Sequence, residues 1–304
     1  MIRHLTRACR RIAVLVLTVA AGVGLAPAAP AQQPAAPPAA QAVPPAQRPQ
    51  QPPQLTPEQQ AALDQLLAAW ETRNAAVRTW SCDFHKWEYN AWSPVDATGE
   101  RQAFAESNGE LKYAAPDKGL FRVKEVKQWS PETRRLEARG SEAGEHWVCN
   151  GESIYEFRHT ERQLRETKLP PDMRGMAISD GPLPFVFGAK AATLKARYWM
   201  RIITPPNVRD QIWLEALPRE QRDAVNFSKV ELILTRDLMP FAIQIYKPGG
   251  QDRDVYKFES RTNLIDKGLD MIRDFAKPMT PFGYKYVLED LQSAAATPPA
   301  SAVR

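Results

Sequence analysis

Between Thr56 and Val77 the apolar residues Leu63, Leu66, Leu67, Trp70 and Val77 recur at steps of three and four, the spacing of one stripe on an α-helix. The segment also carries its own start signal. Thr56 can cap the first turn, Pro57 suits the first helical position and Gln59 can complete a capping box. Past Thr79 the period falls to two, with Trp80, Cys82 and Phe84 alternating with Ser81, Asp83 and His85, which is a strand with one buried face. Similar runs predict strands near 101–107, 109–114, 119–129, 144–149, 152–159, 162–168, 196–204, 210–217, 227–235, 240–247 and 253–260. Asn108-Gly109, Asn150-Gly151 and Pro248-Gly249-Gly250 tolerate positive φ and read as tight turns between them. One interruption spans about 170–195, where Pro- and Gly-rich loops surround Phe185-Val186-Phe187-Gly188 ahead of a short helix, Ala189 to Arg197. The fold class that follows is mainly β with flanking helices: a curved antiparallel sheet or unclosed β-barrel, with helices across its mouth or concave face. Such a fold makes a cavity available, or a helix fills it.

The ends of the chain read differently. Arg3, Arg7, Arg10 and Arg11 precede an apolar run from Ile12 to Ala26 and an Ala29-Pro30-Ala31 site, the parts of a secretory signal peptide over 1–31. Arg10-Arg11 lacks the surroundings of a twin-arginine signal, so ordinary export is expected, with Gln32 at the mature N-terminus. Cys9 precedes the apolar run rather than following it, which argues against N-terminal lipidation. Residues 32–55 are nearly all Pro, Ala and Gln and form an expected disordered linker; 56–291 make one domain and 292–304 a disordered tail. Loss of the four leader arginines takes the formal charge from +5 to +1. A nearly neutral chain has no reason to hold a polyanion, so nucleic acid is not an expected partner. Localisation in the periplasm or cell envelope follows from export, with no transmembrane anchor in the mature chain.

Candidate chemistry is sparse. No nucleophile elbow, H-E-x-x-H, phosphate loop or metal-spaced Cys/His set occurs, so no catalytic residue, metal or cofactor is assigned. His85, His146 and His159 are isolated in sequence and are expected to face solvent or a hydrogen-bond partner; a carboxylate pair such as Asp83 with Glu156 remains a chance approach. Arg134-Arg135 and the run Arg219 to Asp223 read as solvated loops or helix surface. On the period-two faces Phe84, Leu111, Tyr113, Phe121, Val123, Trp147, Tyr155 and Phe157 are the inward candidates, either as solid core or as the lining of an apolar cavity. Phe185 and Phe187 are candidates for a mobile apolar flap, or for loop anchors in the core. Trp87, Tyr89 and Trp92 form either an exposed interaction cluster or packing against the N-terminal helix. Cys82 and Cys149 survive processing and are either two buried small hydrophobes or a disulfide.

The run Ser107-Asn108-Gly109-Glu110-Leu111-Lys112-Tyr113, then Pro116 and Leu120-Phe121-Arg122, resembles the LolA-like periplasmic lipoprotein carriers. Cys82-Asp83-Phe84 is similar to that family's first strand, and Asn150 to Tyr155 with Phe157 to one of its hairpins. Trp80 to Phe84, Trp147 to Gly151 and Gly181 to Gly188 resemble a planctomycete family of exported proteins of unknown function. The LolA resemblance implies an open barrel with a helical lid whose interior accepts acyl chains. It departs from the family at Ala115, where an arginine is expected before the turn proline. The function expected is therefore non-enzymatic binding of a lipid, a lipidated protein or another apolar ligand. An envelope structural or signalling module that partners another envelope protein without a ligand cavity is the alternative, and an unrecognised hydrolase a third.

Overall fold

Helix α1 (Pro57–Ala76) begins as its sequence dictates: the Gln59 N–H donates to Thr56 Oγ1 at 3.3 Å, and the Thr56 N–H donates to Gln59 Oε1 at 3.0 Å. The structure, a computed structural model, describes residues 54–140, 143–169, 190–260 and 273–290, which fall within one unit, Pro49–Arg304. Leu63, Leu67 and Trp70 are the buried stripe of α1, at the i, i+4, i+7 spacing. Each contributes roughly 1.5–3 kcal/mol by leaving water.

Among the described residues thirteen strands form one sheet: β1 (Thr79–Tyr89), β2 (Ala105–Ala114), β3 (Lys118–Ser130), β4 (Arg135–Arg139), β5 (His146–Cys149), β6 (Ser153–Arg158), β7 (Gln163–Lys168), β8 (Tyr198–Ile202), β9 (Gln211–Pro218), β10 (Lys229–Thr235), β11 (Pro240–Tyr246), β12 (Arg253–Ser260) and β13 (Lys285–Asp290). Two short helices, α2 (Ala191–Arg197) and α3 (Gln221–Ala224), complete the described elements. The strand order is β13-β7-β6-β5-β3-β2-β1-β12-β11-β10-β9-β8, with β4 paired to β3 off this path. β13 and β8 end the path, so the sheet is curved and unclosed. Every pairing is antiparallel except β13 with β7.

Three expectations change. Asn108-Gly109 does not separate two strands; it lies inside β2, opposite a bulge in β3 where Lys124 is the extra residue. β4 lies where Arg134-Arg135 suggested a solvated loop: Leu136 is its one half-buried apolar residue, so no alternation marks it, and it forms by pairing with the far end of β3. β13 is added in parallel by the chain after Phe275, a long-range pairing that local periodicity does not encode. By contrast, Gly151 (φ +93°), Gly249 (+96°) and Gly250 (+73°) do occupy left-handed turn positions.

The two faces carry different interiors. On the concave face Leu63, Leu67, Trp70 and Leu194 join Trp80, Cys82, Phe84, Leu111, Tyr113 and Phe121 and the inward residues of β8 to β12 in one core. The opposite face has a smaller core, Leu120, Val148, Tyr155, Leu164 and Phe275, with Phe157 against it. Cys82 on β1 and Cys149 on β5 are buried, separate thiols with β2 and β3 between them. Three inter-strand steps of about 4.8 Å put them roughly 14 Å apart, twice the reach of a disulfide, so the bridging alternative fails on geometry.

Candidate ligand-binding site on the concave face

An aromatic row crosses the concave face from β12 to β5. Phe84 stacks on Phe121 with ring centroids 4.7 Å apart, Phe121 on Trp147 at 5.9 Å, and Tyr256 tilts against Phe84 at 6.0 Å. The row jumps over β2 because the residue there is Gly109, opposite Phe84 on one side and Val123 on the other. A Cβ at that position would lie 2.6 Å from Phe84 Cζ and 2.2 Å from the Arg122 carbonyl oxygen. The bulge and the glycine therefore let Phe84 lie across β2 to meet Phe121. Phe84, Leu111, Tyr113 and Phe121 are closed into the core, whereas Val123, Trp147 and Tyr256 stay half-buried.

Beyond this row the same face becomes ionic. Period two carries Lys86 and Glu88 to the side of Phe84, and the register sets Tyr256 opposite Lys86 and Asp254 opposite Glu88. Lys86 Nζ lies 2.7 Å from Glu88, 3.7 Å from Asp254 and 5.4 Å from the centre of the Tyr256 ring, and Lys247 reaches Asp254 at 3.0 Å. Burial opposes the Lys86 charge, but Tyr256, Asp254 and Glu88 outweigh it and hold the ammonium's pKa above its ordinary value. Burial pushes the Tyr256 hydroxyl up as well. Glu145, which accepts from Trp147 Nε1 at 2.9 Å, is also raised by burial, with Lys86 opposing the shift. Its side chain keeps accessible surface all the same.

The eight inward candidates divide. Phe84, Leu111, Tyr113, Phe121, Val123 and Trp147 share the concave face, but Tyr155 and Phe157 point to the opposite one, since Tyr155 pairs with Val148, whose side is that of Leu120. The sequence gives alternation within a strand and no phase between strands, which is why those two were misplaced. Phe185 and Phe187 lie outside the described residues. Trp87 and Tyr89 sit on the face away from α1, Trp87 stacked on His85 at 6.0 Å and Tyr89 under Arg253 at 4.5 Å, so they do not pack on the N-terminal helix. Trp92 is 77% exposed. Asp83 and Glu156 are four strand steps apart, so they form no acid/base pair. His146 stacks on Phe157 at 4.0 Å, and His159 lies against both rings at 5.6 and 5.8 Å; burial, then the charges of His159 and Arg122, lower the His146 pKa to about 4. Among the described residues no group of three or more His, Cys, Asp or Glu is placed to hold a metal. Sequence reasoning missed Lys86, Glu88, Glu145, Asp254 and Tyr256; parity with Phe84 and Trp147 was the signal available for Lys86, Glu88 and Glu145.

A separate recess of about 80 Å³ lies at the start of α1, lined by Leu55, Gln60, Leu63, Lys195, Tyr198, Trp199, Met200 and Arg219. It is well below the roughly 300–1,000 Å³ of a typical ligand pocket.

No family pattern matches this chain by sequence, and no curated protein does. Solved structures similar to it include an uncharacterized conserved protein of Thermus thermophilus (11% identity, 75% of this chain and 99% of that one, TM-score 0.39). A LolA superfamily protein of Nitrosomonas europaea is similar at 11% identity, over 67% and 96% of the two chains, with a TM-score of 0.29. The lipoprotein LppX of Mycobacterium tuberculosis is similar at 9% identity, over 67% and 97%, with a TM-score of 0.33. Likenesses this distant leave the mainly β, unclosed-sheet fold standing on its own strand order and register.

Proposed function

We propose that this chain is an exported envelope protein that binds an amphiphile without transforming it: a lipid, the lipidated part of a protein or another apolar ligand. The observation that carries the reading is the abrupt change along the concave face, from the closed rings of Phe84 and Phe121 to the half-buried Trp147, Val123 and Tyr256 near Lys86, Glu88, Asp254 and Glu145. Aromatic rings supply contact area for an apolar chain, and the ionic groups supply partners for a polar end. Export rests on the leader of residues 1–31, and N-terminal sequencing of the exported protein should find Gln32 or a close neighbour first.

Brominated fatty acid provides the direct test. Trp147 should be quenched saturably and stoichiometrically, and the quench should disappear in Trp147→Phe while the remaining tryptophans keep their signal. Absence of saturable quenching in the parent sinks the reading. The alternative, an envelope interaction module without a ligand, is favoured by one fact: Phe84, Leu111 and Phe121 are packed shut in the core that includes α1.

A further inference from the structure

Two connections carry exposed large apolar residues. Met279 is 89% exposed and Phe282 fully so, on the segment that leads into β13; Trp92 and Val95 are exposed on the β1–β2 connection. Register keeps the two segments apart. Traced from Lys285 through Gln163 and Arg158, the pairs lead to the level of Val123, Gly109 and Phe84, whereas β1 pairs on as far as Tyr89 before its connection begins. Six strand steps separate β13 from β1, so the 278–284 tip stands by itself.

Neither segment is a loose strand of chain. Phe275 is buried in the smaller core, Lys277 Nζ meets Glu166 at 3.0 Å, and the Tyr284 N–H donates to the Pro281 carbonyl at 3.0 Å. The Tyr284 hydroxyl lies 2.8 Å from His159 Nδ1, and the Lys285 N–H donates to the Arg162 carbonyl at 2.8 Å. On the other connection Asn90 and Ser93 bond each other's backbone, and Asp96 Oδ1 accepts from the Thr98 and Glu100 N–H groups. Fixed loops that hold Met279, Phe282 and Trp92 in water sustain the cost of that exposure.

We propose that the 278–284 segment docks on an anionic lipid surface, with Met279 and Phe282 entering the interfacial layer. Arg162 and Lys285 are exposed at the foot of this segment, which suits negatively charged headgroups. Glu161, the acid of that hairpin turn, is engaged by Arg158 at 3.5 Å. One small protruding tip does not make the continuous patch of about 800 Å² per partner that a stable protein interface requires. A bilayer interface accepts a single apolar tip flanked by basic side chains. The proposal stands whether or not the concave face holds a ligand.

Vesicle flotation of the purified protein tests it, with phosphatidylcholine alone against phosphatidylcholine containing about a third phosphatidylglycerol. The parent should float with the anionic vesicles and less with the neutral ones, and added salt should weaken the binding. Met279→Ser with Phe282→Ser should lower anionic-vesicle binding about tenfold or more, with an unchanged melting temperature because both side chains are in water. Arg162→Ser with Lys285→Ser should abolish the preference for anionic vesicles. No flotation with either vesicle overturns the proposal. So does full binding by the Met279/Phe282 variant, or loss in that variant of a protein partner when the parent ignores vesicles.

Discussion

Gly109→Ala is the sharpest probe of how the concave face is built. The added Cβ would stand 2.2 Å from the Arg122 carbonyl oxygen and 2.6 Å from Phe84 Cζ. Neither neighbour can withdraw easily: the carbonyl belongs to β3, held between β2 and β5, and the Phe84 ring is stacked on Phe121. Overpacking of this kind costs about 1–3 kcal/mol, and a clash with backbone belongs at the upper end. The gain from replacing glycine by alanine in a strand, roughly 0.5–1 kcal/mol, offsets part of it. The net expectation is a loss of about 2 kcal/mol, or a fall in Tm of roughly 4–8 °C for a domain of this size. Urea unfolding followed by tryptophan fluorescence measures it. Gly140→Ala is the control, since a Cβ there meets nothing within 4 Å. If the two variants lie within about 0.5 kcal/mol of each other, the packing of Phe84 across β2 is not as described.

Other perturbations separate the parts of the molecule. Leu67→Ala should cost about 2–5 kcal/mol in thermal unfolding, because Leu67 is a buried α1 contact. Phe121→Glu should prevent stable folding by burying an unpaired charge, whereas Trp147→Glu, half-buried beside solvent, should fold with a near-native circular dichroism spectrum and lose the amphiphile. His146 has a folded pKa below its unfolded value, so the stability it provides is complete above pH 6.5 and is lost as pH falls towards 4, by at most about 3 kcal/mol; His146→Phe should remove that part of the acid dependence. Glu145 is the opposite case: its raised pKa favours the folded state at low pH, and the benefit disappears as pH rises through the folded value. Glu145→Gln should therefore melt higher than the parent at pH 8 and match it near pH 4.

The helix and most strands were legible because their signals are local. Thr56, Pro57 and Gln59 announce a helix start whatever lies elsewhere, and the alternation of Trp80, Cys82 and Phe84 needs no partner to be read. Where the sequence misled, the deciding fact was a pairing. Asn108-Gly109 has the composition of a hairpin turn, but β1 and β3 flank it on both sides and hold it in one strand, with a bulge at Lys124 of β3 opposite. Tyr155 alternates as an inward residue would, yet only its pairing with Val148 decides which face is inward. Lys86 and Glu88 were passed over because charges on a strand normally mark the outer face. Here they continue the row of Phe84 on the inner one, each meeting a partner on β12.

That continuation limits how a ligand can reach the concave face. One end is occupied by α1, and lifting it would expose Leu63, Leu67 and Trp70. At roughly 1.5–3 kcal/mol for each side chain, the displacement costs about 5–9 kcal/mol, comparable with the whole stability of an ordinary domain at about 5–15 kcal/mol. A ligand that had to displace α1 would lose most of a micromolar affinity, about 8 kcal/mol, before gaining any. Entry beside Trp147 and Tyr256 displaces none of these residues. It does bring the ligand against Lys86, Glu88, Asp254 and Glu145, where a bare hydrocarbon would desolvate charges without replacing their hydrogen bonds. If the concave face binds as proposed, it selects molecules with a polar end, and a plain alkane should compete with the brominated fatty acid far more weakly than its carboxylated or zwitterionic counterpart.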